Sequence, residues 1–349
     1  MSNIGTVSLG IKLPIIKEGE NIRDIIVKAL ADAGKDGFTP GNGDIIGITE
    51  SIVARAQGNY CTIDEIAEDL KKKFNSHDAV YVYNPIFSRN RFSLILKGVA
   101  RAFRKVVIVA DETDEVGNVI KHPITKVDYH DFYKEIVEAE GAEFAWENKS
   151  AVLDGCNVLD CTLHAGYAGK AGCILSLKDI MSDKCAFGLL GSNKAGEELL
   201  KLFPKKEESQ ELVEAVKKDV EAKFGVSGIE VMIYGDGCYK DADSDIWEFA
   251  DPVVSPAYTK GLEGSPNELK LKYLADEEFG NLNGNELAEA IKGRIKGKAA
   301  DLSGTMSTQG TTPRRYVNLL GSLMDLTSGS GDKGTPVIVV RNYFKNYSD

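Results

Sequence analysis

The stretch 327–336, "TSGSGDKGTP", sets glycines, hydroxyls and one cation, Lys333, directly before the apolar run "VIVVR". Small residues let backbone amides come close to an anion, and a lysine and a threonine hydroxyl can meet phosphate oxygens. A P-loop orders the same parts differently: its lysine follows the last glycine, and its loop leaves a strand to open a helix. Here the lysine precedes Gly334 and the loop leads into a strand. A phosphate held by Ser328, Gly329, Ser330, Gly331 and Lys333 would therefore sit in a site of another design.

Four further stretches carry residues of the right type. In "IYGDGCYKD", Asp236 ends an apolar run between two glycines, where the backbone can bend round a cation. It is the first candidate metal ligand, although Asp-Gly is also an ordinary turn dipeptide. In "ITESIVARAQGN", Glu50 and Ser51 follow a strand-like run, and Arg55 lies four residues after Ser51 on the same helical face. A guanidinium there could fork onto phosphate oxygens. A capped surface helix with an ion pair would read the same way. "GLLGSNK", 188–194, offers an anion nest around Asn193 and Lys194, or an ordinary loop. "GTTPRR" puts Arg314 and Arg315 at a helix start, against the preference for acids there. That suggests a substrate carboxylate or phosphate, or else a salt-bridged surface. The acidic run "DADSD", 241–245, lacks the glycine and the later glutamate of a calcium loop and reads as a solvated turn.

The elements that must position these residues follow from hydrophobic spacing. Residues 6–16 read as a strand ending at Pro14, and Ile22, Ile25, Ile26, Ala29 and Leu30 as one face of a helix stopped by Gly34. A buried strand over 45–49 runs into a turn and a helix start, an edge that often faces a ligand. "TIDEIAEDLKKKF" and "RFSLILKGVARAF" read as helices and "RKVVIVA" as a strand. The segment 111–180 changes character, with loop signals, a helix and "AVLDGCNVLDC"; it reads as an inserted subdomain between 1–110 and 181–349. Beyond it come a charged helix at 208–225, the strand "IEVMIY" that breaks at 235–237, and a long stretch rich in proline and glycine. A last helix, "TTPRRYVNLLGSLMDLTSG", precedes the glycine loop and the final strand. The expected fold is α/β of the α+β type: mixed sheets with packed helices in two intimately joined lobes.

The chain has 349 residues, 43% of them hydrophobic and 27% charged, which suits a large globular core. A net charge of −11 argues against nucleic acid as partner, since phosphate neutralisation dominates that affinity. No run approaches the roughly 18 apolar residues of a membrane helix. The N-terminus lacks the pattern of a signal peptide. A cytoplasmic protein without a membrane partner is expected. Six cysteines without a regular framework read as free thiols, and four scattered histidines give no zinc spacing.

The order of these stretches resembles one family. "LPII", then "GDIIGITESIVARAQGN", then "GLLGSNK", then a strand ending in Gly-Asp, then a helix, a glycine loop and "PVIVVR" is similar to the gamma-glutamyl ligases that add glutamate to coenzyme F-420. The resemblance covers 8–107 and 183–345. It implies an enzyme that couples a small carboxylate acceptor to the amine of glutamate through an acyl phosphate. GTP (or ATP) would be the co-substrate, Mg²⁺ or Mn²⁺ the metal, and a homodimer the assembly. The nucleotide-contacting positions fall on Leu13, Pro14, Ile15, Ile16, Glu50, Ser51 and Asn193, and the family's lysine falls on Arg55. The metal aspartate falls on Asp236, and Asp332 is the acid of the loop before the last strand. Asp236, Arg55 and Lys333 would carry the catalysis, with Arg314 and Arg315 clamping a substrate carboxylate. Two positions depart from the pattern: Leu190 replaces a metal aspartate and Gly237 a hydroxyl. Asp251 or Glu263 could supply a substitute acid. A nucleotide- or metabolite-binding protein without ligase activity is the alternative, and a metal-dependent phosphohydrolase a third reading.

Overall fold

The computed structural model describes residues 4–349 apart from 84–86, 89, 115–116, 162–169, 236–237, 242–245, 250–254, 303–304, 306–314 and 330; for 238–241 and 246–249 it describes the backbone alone.

Four strands make the first sheet, in the order β1 (Val7–Ile11), β14 (Val337–Arg341), β2 (Ile45–Thr49) and β11 (Glu230–Tyr234). β2 and β11 are parallel, while β14 runs antiparallel to both β1 and β2. Alternate residues face opposite sides of a strand, and both faces here are covered. Ile46 and Ile48 join one core with Ile26, Leu30, Val213, Val216 and Val231. Ile45 joins another with Met232, Leu320 and Met324. The first core is closed by α1 (Ile22–Asp32), α2 (Glu50–Ala56) and α6 (Lys206–Phe224), the second by α9 (Tyr316–Ser328). In α1, Ile22, Ile26 and Leu30 recur every four residues and bury one stripe. α6 ends at Gly225, whose φ of 63° suits a residue without a Cβ.

The second lobe is a five-stranded parallel sheet: β4 (Ala79–Tyr83), β5 (Lys105–Val109), β6 (Glu143–Glu147), β7 (Asn157–Asp160) and β8 (Cys173–Ser176), in the order β6-β5-β4-β7-β8. Helices α3 (Ile63–Lys73), α4 (Arg91–Ala102) and α5 (Tyr129–Ala139) pack on it in one continuous core. A small antiparallel sheet, β3 (Tyr60–Thr62), β10 (Leu199–Leu202) and β9 (Ser192–Lys194), contributes Cys61, Leu200 and Leu202 to that core. The 110/111 line thus runs between β5 and β6, which pair along five residues.

The rest is peripheral. A hairpin joins β12 (Cys238–Asp241) to β13 (Ile246–Phe249). The short α7 (Leu271–Tyr273) passes into a π-helical turn at Leu274–Glu278, and its Leu274 meets Ile291 and Ile295 of α8 (Gly284–Lys296). The architecture is the mixed α+β arrangement that the spacing predicts. Among the described residues no helix is long and apolar enough to cross a membrane.

Candidate functional site

Several chain ends converge at one edge of the first sheet. The parallel strands β2 and β11 end there, at Thr49 and Tyr234. β14 starts there, and β1, antiparallel to it, leaves there. The segment after β1 is tied to the loop before β14 by Leu13 N donating to the Gly334 carbonyl at 3.1 Å. Thr49 N donates to the Pro336 carbonyl at 2.9 Å. The expected first strand therefore stops at Ile11, and residues 13–16 lie outside the sheet as part of this edge.

A cavity of about 360 Å³ opens between these ends. Leu13, Pro14, Ile15 and Ile16 form one side, Thr49, Ser51 and Arg55 a second, and Asp325, Ser328, Gly329, Gly331 and Thr335 a third. Ile16 is buried, whereas Ile15 is 78% exposed, an apolar side chain at the cavity mouth. Arg55 gives its Nε to the Ile16 carbonyl at 3.2 Å. Thus "LPII", Ser51, Arg55 and the glycine loop, far apart in sequence, share one pocket.

The loop has a defined geometry. Gly329 follows the last turn of α9 with φ 64° and ψ −147°, a region open in practice to glycine alone. Its amide donates to the Asp325 carbonyl at 3.2 Å, and Ser328 Oγ donates to the same oxygen at 2.7 Å. Thr335 Oγ1 donates to the Ser328 carbonyl at 3.0 Å. A Cβ on Gly329 would lie 2.5 Å from Lys333 Nζ, so the Lys333 ammonium rests against the glycine backbone. One 3₁₀ turn, Gly331–Lys333, completes the loop.

Other candidates sit elsewhere. Glu50 is fully buried. Both its carboxylate oxygens accept from Lys201 Nζ, Oε2 at 2.7 Å, and Asn193 Nδ2 donates to Oε1 at 3.3 Å. Buried Glu50 and half-buried Asn193 are therefore bonded to each other, and neither is among the described residues that line the cavity. Asp332 and Lys333 are exposed on the loop and are not among the described lining residues. Arg315 is exposed ahead of α9, ten residues from Asp325, or about 15 Å along the helix axis; the structure does not bring it to this cavity. Leu190 packs against the core of the second lobe, and its carbonyl accepts from Arg91 at 2.6 Å. Asp236, Gly237, Asp251, Arg314 and Ser330 lie outside the described residues.

Sequence reasoning missed Thr49, Tyr234, Asp325 and Lys201. Asp325 had a signal: an acid in the last turn of a helix opposes the macrodipole, as Arg315 does ahead of its start. Its carboxylate is a hard oxygen donor of the kind that suits Mg²⁺ or Mn²⁺. Among the described residues, however, no group of three or more His, Cys, Asp or Glu converges as a complete metal shell would. Tyr234, two positions before Asp236, does line the cavity.

The fold and this edge define a mixed α/β protein with a cavity walled by an arginine, hydroxyls, an acid and a glycine loop, a setting for an anionic small molecule. The sequence matches the F420-0:Gamma-glutamyl ligase family over residues 10–342, nearly its whole length. The chain belongs to that family and is an enzyme of the ligase type. No curated protein matches it.

Proposed function

We propose that the chain is a GTP- (or ATP-) dependent gamma-glutamyl ligase that joins a small carboxylic acid to the amine of glutamate. The observation that carries this reading is the cavity shared by residues 13–16, Ser51, Arg55 and, from the glycine loop, Ser328, Gly329, Gly331, Gly334 and Thr335. Pro14 and Ile15, exposed and apolar, offer a surface for a nucleobase. Arg55 neutralises phosphate oxygens from one side and the loop amides, with Lys333, from the other.

In this scheme a carboxylate oxygen of the acceptor attacks the γ-phosphorus, and the bond to the nucleoside diphosphate breaks. The amine then attacks the acyl carbon, expels phosphate and gives up its proton as the amide forms. Positioning and charge stabilisation supply most of the catalysis, and no nucleophilic side chain is required. A Mg²⁺ or Mn²⁺ ion held by Asp236 and Asp325 would supply charge neutralisation at the phosphate oxygens. The proposed assembly is a homodimer and the proposed compartment the cytoplasm.

The test is a thermal-shift screen of GTP and ATP with Mg²⁺, Mn²⁺ or EDTA, followed by phosphate release with and without glutamate across a panel of acids. A ligand at 100 times its Kd adds about 2.7 kcal/mol, a shift of several degrees. Phosphate release that requires both glutamate and an acid supports ligation. One observation favours the second reading, binding without ligation: Leu190, an apolar residue packed on the second core, stands where the resemblance implies a metal aspartate. Nucleotide binding without turnover on any acid would establish that reading. Hydrolysis independent of amine would instead indicate a phosphohydrolase.

A further inference from the structure

Two hydrophobic cores meet beside the cavity, and a charged pair is buried where they meet. Glu50 opens α2, whose Val53 packs in the core of the first sheet. Lys201 lies on β10 between Leu200 and Leu202, which pack in the core of the second lobe. Relative exposure is 0% for Glu50 and 7% for Lys201. The Lys201 ammonium donates to both carboxylate oxygens of Glu50. Asn193, which also donates to Glu50, faces Lys201 directly in the β9–β10 ladder. One rung of the small sheet therefore holds one carboxylate of α2.

Stability alone does not explain such a pair, because an apolar pair of the same volume fills a junction with no charges to desolvate. The ion pair supplies geometry. A carboxylate gripped through both oxygens, with a third donor beside it, has one position and one orientation. Thr49 and Ser51 flank Glu50 along the chain and line the cavity, and Arg55 follows on the same short helix. A shift of Glu50 moves all three. The ammonium also neutralises a carboxylate that would otherwise repel an anion in the adjoining cavity.

We propose that Lys201 is a positioning residue of the nucleotide site: through Glu50 it fixes the first turn of α2, and with it the Ser51 hydroxyl and the Arg55 guanidinium. It touches no ligand itself. The inference rests on the nucleotide reading above for what the turn receives, but the clamp can be measured without a ligand.

The experiment compares wild type, Lys201→Met and the double variant Glu50→Gln/Lys201→Met. The single variant strands a buried carboxylate and is expected to lose much of its stability. The double variant removes both charges at similar volume and keeps the fold testable. Two quantities are read well below its Tm: hydrogen exchange across 49–57, with α3 as internal reference, and affinity for GTP with Mg²⁺. The clamp predicts that the double variant exchanges faster at 49–57 alone and binds GTP about 10- to 100-fold more weakly, as when an outer partner of a ligating group is lost. Wild-type exchange at 49–57 together with wild-type GTP affinity in the folded double variant would reduce the pair to a space-filler and overturn the proposal. If wild type itself binds no GTP, the nucleotide reading fails and the exchange comparison alone decides the clamp.

Discussion

Arg55 Nε donates to the carbonyl oxygen of Ile16 at 3.2 Å, so the helix after β2 and the segment after β1, two adjoining sides of the cavity, are tied to each other. That bond uses one of the five guanidinium N–H groups and orients the others. Arg55→Met should weaken GTP binding by about 10- to 100-fold, the loss expected when charged hydrogen bonds to phosphate disappear. Arg55 is exposed, so stability should change by no more than about 0.5 kcal/mol. Arg55→Lys should recover only part of the affinity, since an ammonium cannot fork. Titration calorimetry and a melting curve on the same samples check both halves. Unchanged affinity in Arg55→Met would remove this residue from the site.

Gly329 is the tightest point of the loop. Its dihedrals exclude an L side chain, and a Cβ would meet the Lys333 ammonium at 2.5 Å. Gly329→Ala is expected to cost about 1–3 kcal/mol and to push Lys333 off the loop. Gly331 has open space around its Cβ position and lines the same cavity, so Gly331→Ala serves as the control. The expected result is a lower Tm and weaker nucleotide binding for the first and little change in Tm for the second. Equal melting temperatures for the two would show that the loop conformation is not held by Gly329.

Much of this edge was legible in the sequence, because its parts are backbone-driven. "LPII", the strand into "ESIVAR" and the glycine loop each announce themselves by local chemistry, and the antiparallel pairing of three short strands, β1, β14 and β2, then brings them together. The partner of Glu50 was not legible. Lys201 lies 151 residues away on a three-residue rung of a small sheet, and nothing local in "ELLKLF" marks that lysine as buried. The second lobe was blurred for a related reason. Its strands are four or five residues long and separated by turn-rich segments, so 111–180 reads as something inserted, whereas β6, β7 and β8 extend the sheet that β4 and β5 begin.

Glu65 gives a pH dependence with a definite sign. The Lys184 ammonium, bonded at 2.6 Å, holds its carboxyl below the usual range, helped by the Thr62 backbone amide of the α3 capping box. A depressed carboxyl stabilises the fold fully above its unfolded value, about pH 4.3, and loses that contribution as pH falls through the folded value. Tm should therefore decline as acid is added below about pH 4.3, and Glu65→Gln should flatten that limb while lowering Tm at neutral pH. Identical slopes in wild type and variant would assign the acid limb to other carboxylates, Asp219 beside Arg23 among them.

Gly47 lets α9 sit close on the sheet, and α9 carries Asp325 and Ser328 to the cavity. A Cβ on Gly47 would lie 2.1 Å from Met324 Sδ and 2.9 Å from its Cε. Both residues are in the interior, Met324 with no exposed surface. Gly47→Ala should cost about 1–3 kcal/mol, the usual penalty of overpacking, eased somewhat because methionine can change rotamer. Met324→Ala should cost about 2–5 kcal/mol through the cavity it leaves. In the double variant the new methyl occupies part of that cavity, so the two losses should sum to more than the measured one. Because the first change pushes on the helix rather than on the ligand, weaker GTP binding in Gly47→Ala that recovers in the double variant would place α9 among the elements that set the cavity. Strict additivity in stability would mean that the two side chains relax independently and that the close approach at Gly47 is incidental.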